Sequence, residues 1–455
     1  MKFAKLSIAA LVVVGFASSA VAGGKSEMTF NPFGSAKLYY ETIATDAAGS
    51  DLFGQYGGTA AAGQPTHPLS VGGASGQALF SLGATGKINS CFGYGVEGMA
   101  VDTLGLENNV VSGVRMGNGN SAPKDALDTQ FWFPQAYVTY HPCDVGTNTT
   151  FKIGRQYLDT PLAFTEKWNV APNSFDAAVV MNQDIINTTL VGAYVGRGNG
   201  EFVQVTNGEE FRTYGTDGAY ALGAITSLLD GALPISVWGY DVVNVAQAFW
   251  GDAGYKLNLG DGINLNLGAQ YGFMTPDDDA NSLATALGAV NPDDTSGFGV
   301  KIGTTMKVAD MNFGLMAAYT SVDKDGVLAL ANTATVQNTG GNGISPTLGG
   351  KKTKLYTAAI YGDGTHVAVP GSDAFKIKAT TKLAGIGSLA VQYVNNSNDT
   401  HAALEMDEID VILGTSLPGG LGAKFIYMNR AYDKVNNDAV HNDADHVRII
   451  LSKNF

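Results

Sequence analysis

Along much of this chain apolar side chains recur at every second position. From Ile263 the series Ile263, Leu265, Leu267, Ala269, Tyr271 and Phe273 alternates with Asn264, Asn266, Gly268, Gln270 and Gly272. Phe298, Val300, Ile302, Met306 and Val308 likewise oppose Lys301, Gly303, Thr305 and Lys307, and Phe375, Ile377, Ala379 and Leu383 oppose Lys376, Lys378, Thr380 and Lys382. The chain ends the same way, with Val447, Ile449, Leu451 and the terminal Phe455 on one parity, interrupted by Lys453. A period of two is the signature of a strand with unlike faces. A transmembrane β-barrel requires this alternation, since one face of each strand meets lipid and the other meets water. The sheet must also close, because an open edge in hydrocarbon leaves backbone groups unsatisfied.

The connections between runs fall into two kinds. Short ones lie near Asn89–Gly93, Cys143–Asn148, Ile185–Asn187, Asp230–Pro234, Gly260–Gly262, Ala309–Met311, Ala384–Gly387 and Pro418–Gly419. Most of them alternate with long polar stretches near 45–76, 104–128, 158–175, 275–296, 323–372, 397–407 and 432–445, and two shorter ones fall near 198–217 and 245–246. Short turns at one rim and long loops at the other are the outer-membrane pattern, and counting up and down predicts ~18 antiparallel strands. The strand-like segment Lys354 to Val369 is assigned to a long outer loop; as a membrane hairpin it would add two strands. Aromatic pairs near strand ends, such as Tyr39–Tyr40 and Phe249–Trp250, fit girdles at the two interfaces.

Composition and the N-terminus supply an address. Lys2 and Lys5 precede an apolar run from Leu6 to Phe16, and Ala20-Val21-Ala22 is a small-x-small cleavage site. The expected organisation is a signal peptide over 1–22 and one barrel domain over 23–455. No later segment has the ~20 apolar residues of a spanning helix. Charged residues are 15% of the chain, below the roughly 25% of ordinary soluble domains. Export places Cys91 and Cys143, at successive short turns, in an oxidising compartment, so a disulfide is expected. Enzyme signatures are missing: there is no Gly-x-Ser-x-Gly elbow and no His-Glu-x-x-His helix.

Charge divides by location. Acids such as Asp277, Asp293, Asp323, Asp399, Asp407 and Asp443 concentrate in the predicted loops. The predicted inner wall is basic, with Lys301, Lys307, Lys376, Lys378, Lys382, Lys424 and Arg448, opposed by Glu41, Glu97, Asp241 and Asp410. Charges at a constriction set ion preference, so acidic loops and a basic wall pull in opposite directions. No basic patch suited to nucleic acid is present.

One segment carries a resemblance. Lys152-Ile153-Gly154-Arg155-Gln156-Tyr157-Leu158-Asp159-Thr160-Pro161, followed by Ala171-Pro172-Asn173-Ser174-Phe175-Asp176, resembles OprD-like porins, in which a Gly-Arg-Gln strand end leads through Thr-Pro into a loop ending Pro-Asn-x-Phe. Signal, length and Phe ending are similar to the Campylobacter-type major outer membrane porin. The resemblance implies a homotrimer, a third loop folded into the lumen, and a constriction drawn here from Arg155, Asp159, Glu166, Lys167 and Asp176. It also implies a cation near the constriction. Carboxylate oxygens suit calcium, which makes Asp159, Glu166 and Asp176 its candidate ligands. Implied partners are the lipid bilayer, lipopolysaccharide, the barrel-assembly machinery, and small solutes and ions. The implied function is passive diffusion with mild cation preference; the alternatives are a substrate-specific channel and an adhesin or structural protein. Arg155 shares the parity of lipid-facing Phe151 and Ile153, so either a bulge at Gly154 turns it inward or it lies above the lipid.

Overall fold

The structure is a computed structural model that describes residues 28–45, 52–53, 73–104, 113–115, 121–123, 130–200, 208–277, 293–308, 311–335, 352–432 and 443–455. The expected signal segment and parts of several outer loops lie outside the described residues. Eighteen long strands form a closed antiparallel barrel, from Asn31–Thr45 to Ala444–Asn454. Three short segments, Gly113–Arg115, Ser121–Pro123 and Arg212–Thr213, add pairings beyond the strands' long-loop ends. The first and last strands pair from Ser35↔Asn454 to Thr45↔Ala444, which closes the sheet. Gly34 and Phe455 exchange backbone hydrogen bonds of 2.7 and 3.0 Å, so the chain's last residue is part of the seam.

The alternation read from the sequence is the one the barrel uses. Leu267, Tyr271, Phe298, Val300, Ile302, Phe375 and Ile377 lie exposed on the outer face, where lipid takes the place of a protein core. Residues 354–369 form no strand and belong to the long connection between Met311–Val322 and Ser372–Leu383.

The lumen has two unlike sides. Between residues 175 and 276 the inward positions are largely apolar: Ala177, Val179, Trp238, Trp250 and Met274 are buried there with Leu162 of the third outer loop and Leu330 and Leu355 of the seventh. Fully burying a Val, Leu or Met side chain there stabilises by about 1.5–3 kcal/mol. Gly223 permits the layer at one point, because a Cβ there would stand 2.5 Å from the Trp238 ring on the neighbouring strand. The opposite side, from 372 through the seam to 102, points polar and charged groups inward, Glu41, Glu97, Lys376, Glu408, Asp410, Arg430 and Arg448 among them. Below the barrel, a disulfide joins Cys91 to Cys143 with Cα atoms 5.2 Å apart.

Candidate pore constriction and vestibule

The third outer loop, residues 157–174, enters the lumen and meets the seventh there. Asn332, fully buried, is the clasp: its Oδ1 accepts from the Phe164 N–H at 2.9 Å, and its Nδ2 donates to the Phe164 carbonyl and to Glu166 Oε1, both at 2.9 Å. The backbone of Thr333 donates to the Leu162 carbonyl at 2.7 Å. Lys37, inward on the first strand, donates to the Val170 carbonyl at 2.8 Å. Trp168 then lies between two cations, 5.1 Å from Lys352 Nζ and 5.8 Å from the Arg448 guanidinium. Arg448 is itself bound by Glu41 at 3.0 Å, with both side chains buried.

The five expected constriction residues take different positions. Arg155 is clamped to Asp176 by two hydrogen bonds of 2.7 and 3.2 Å, donates to the Phe133 carbonyl, and stacks 3.3 Å from the Phe211 ring centre. Arg197 shares Asp176 Oδ2 with it, at 2.8 Å. The three residues are direct cross-strand partners, Arg155↔Asp176↔Arg197. Of the two readings open for Arg155, a bulge at Gly154 is not what the ladder shows. Pairing runs through Gly154, which takes a φ of +124° where a Cβ would strike the Ala136 carbonyl, and the register shifts one strand later, between Asp176 and Ala177. Asp159 is largely exposed and pairs with Lys354 at 2.7 Å. Glu166 is buried, accepting from Trp168 Nε1 at 2.7 Å as well as from Asn332. Lys167 alone of the five points into an open cavity.

The three candidate calcium ligands are therefore held apart by separate partners: Asp159 by a lysine, Asp176 by two arginines, Glu166 by an indole and an amide. Among the described residues they form no cluster of ligand atoms; the group that does is Cys91, Cys143 and Asp144, whose sulfurs are already bonded to each other. These residues do not fit a calcium site.

On the basic wall, Lys301 sits 4.0 Å over the Tyr356 ring and, with Lys378, lines a cavity of about 390 Å³. Lys307 is exposed near the short-turn rim. Lys376 is buried and donates to the Ala358 carbonyl. Lys382 opens on a larger cavity of about 850 Å³ at the short-turn end, shared with Lys37, Lys167 and Lys424, and no carboxylate lines it. Asp241 departs from the sequence reading. It sits on the outer face with Val237, because buried Trp238 fixes the inward parity of its strand.

The seventh loop was not anticipated as a lumen element. Its arm from residue 352 crosses the strands along the inner wall, tied to one strand after another. Gln270 donates to the Lys354 carbonyl at 2.8 Å and accepts from the Tyr356 N–H at 3.1 Å. Thr320 and Thr357 share a 2.6 Å hydroxyl contact, and Lys376 holds Ala358. Glu408 accepts three successive backbone N–H groups, Ile360, Tyr361 and Gly362, at 3.1, 2.8 and 2.5 Å. Arg430 then stacks 4.0 Å from the Tyr361 ring centre. Five inter-strand steps separate Gln270 from Glu408, about 24 Å along the wall at the usual spacing.

A barrel of eighteen strands with two loops packed in its lumen invites comparison with known proteins, and the profile of the Campylobacter major outer membrane protein family matches residues 88–412. The chain belongs to this family. It is accordingly an outer-membrane protein of a Gram-negative bacterium, of a family and fold that form channels and not enzymes. No curated protein sequence matches it. Among solved structures it is similar to Pseudomonas aeruginosa OccK9 (OpdG), with TM-score 0.67 and 15% identity over 94% of this chain and 98% of that one. P. aeruginosa OccK8 (OprE) gives TM-score 0.66 and 13% identity over the same shares. OpdK of that organism, solved with vanillate, gives TM-score 0.64 and 14% identity over 94% and 98%. At such identities these likenesses speak for the fold.

Proposed function

We propose that this protein is a trimeric porin through which ions and small hydrophilic solutes diffuse passively, with a mild cation preference arising at its acid-rich outer mouth. The observation that carries this reading is the closed barrel whose lumen is narrowed by two docked loops yet keeps a cavity of about 850 Å³. The packed loops act as a size filter, and charge along the remaining path acts as a sign filter. The trimer follows from the family resemblance, and cross-linking of the native membrane tests it: a ladder ending at three chains is expected, and a single band contradicts it.

A second reading, a channel favouring anionic solutes, is supported by one specific observation. Lys37, Lys167, Lys382 and Lys424 surround the vestibule without an acid among its lining, while the described acids of the third loop are already engaged by cations or donors. Reversal potential under a KCl gradient decides between them. Cation-side reversal supports the first reading, and anion-side reversal the second. The absence of conductance from folded, heat-modifiable protein overturns both in favour of an adhesin or structural role.

A further inference from the structure

The arm of the seventh loop lies over wall carboxylates. Glu408 and Asp410, neighbouring inward positions on one strand, are 1% and 0% exposed. Glu408 spends its oxygens on the three N–H groups of residues 360–362. Asp410 accepts from Gln392 at 2.6 Å and weakly from Ile360. Around them stand Lys376 and Lys378 on one side, Arg430 directly across the ladder from Glu408, and His446 beyond. By contrast Lys382 and Lys424, lower on the same wall, are exposed and line the vestibule. The arm thus covers both signs, Lys376 and Arg430 as well as the two acids, and leaves Lys382 and Lys424 in contact with solute.

We infer that the arm over residues 352–366 is a charge mask: by covering Glu408 and Asp410 together with Lys376 and Arg430 it takes these wall charges out of the solute path, so that the exposed lysines below them set its sign. This rests on the porin reading for its consequence, though not for its geometry. A carboxylate capped by backbone donors and excluded from water neither attracts nor repels a passing ion at the strength of an exposed one, because its field is met locally by the N–H dipoles. The lysines, facing water in a channel with low-dielectric walls, act at full reach.

The test is a channel in which residues 352–366 are replaced by a short Gly-Ser linker, compared with the full chain in planar bilayers. Conductance is expected to rise, and E408Q with D410N should lower the cation-to-anion permeability ratio of the shortened channel by roughly twofold or more, since both acids are then in the path. D410N alone in the full-length channel should leave the ratio unchanged. A shortened channel whose ratio ignores E408Q and D410N overturns the inference, as does a full-length channel whose ratio moves with D410N. A second measurement stands if the shortened barrel does not fold. In the otherwise intact chain, D410C should react with a membrane-impermeant thiol reagent at least ~10-fold more slowly than K424C, since reaction requires access. Equal rates overturn the mask. Silence of the wild-type channel would remove the porin reading and leave the labelling comparison to judge the mask alone.

Discussion

Asp363 sits fully inside the seventh-loop arm, paired with Lys352. Burial pushes its carboxyl up to about 7, with Lys352 opposing that rise. The docked arm therefore prefers Asp363 protonated, and an undocked arm would leave it near the ordinary ~3.9. A raised folded-state value means the contribution to docking is fully present below the ordinary carboxylate range and is lost as pH rises through about 7. Amide exchange at residues 360–362, corrected for the intrinsic pH effect, should quicken between about pH 4 and 7 in the wild type and stay flat in D363N. An unchanged pH response in D363N would reject that assignment. Arg155 makes a different residue-scale case. Its alternation parity looked costly in the sequence, and the structure meets the cost with Asp176, Arg197 and Phe211. Arg155→Ala should cost about 1–3 kcal/mol of barrel stability, the price of a part-buried carboxylate losing its bidentate partner, read as a lower temperature for the heat-modifiable transition. The three carboxylates once grouped for calcium are held apart, so chelation of the purified protein should leave conductance unchanged. A drop restored by calcium would show a site outside this geometry.

At the scale of elements, the strands and their turns were legible because a period of two is local: each run announces its own faces, and each short turn its own Gly, Asn or Asp. The third loop was legible through a short motif. The seventh-loop arm was not, because every anchor holding it is distant in sequence, from Gln270 with Tyr356 to Glu408 with Gly362, and a side chain that binds loop backbone looks in sequence like any inward polar residue. One signal was available. Inward positions between 175 and 276 carry Trp238, Trp250 and Met274 where a water-filled lumen would call for polar groups, so something apolar had to cover them. For Asp241 the deciding signal lies three residues back, in buried Trp238, whose inward parity puts the carboxylate on the outer face. Asn332 is the element-scale test. Asn332→Ala removes three hydrogen bonds that join the two loops, and should lengthen the open-state current fluctuations while leaving the barrel's thermal transition within about 1–3 kcal/mol of wild type. Quiet wild-type-like currents would mean that the apolar layer alone holds the loops.

For the whole molecule, closure and partition belong together. The seam between Asn31–Thr45 and Ala444–Asn454 completes the wall. An apolar side then packs Leu162, Leu330 and Leu355 of the docked loops, and the charged side leaves a cavity lined by Lys37, Lys167, Lys382 and Lys424. That division explains how one lumen holds a packed core and a solvent cavity at once. It also explains why net charge, −14 over the chain, does not report the charge a solute meets: most described acids near the constriction are paired, capped or outside it. The central claim is that the remaining cavity is part of a conducting pore. Single-channel recording of the purified protein, with reversal potential under a KCl gradient, tests it most directly. Stable ohmic steps with a modest reversal potential are the predicted result. Folded protein that gives no steps would contradict the account.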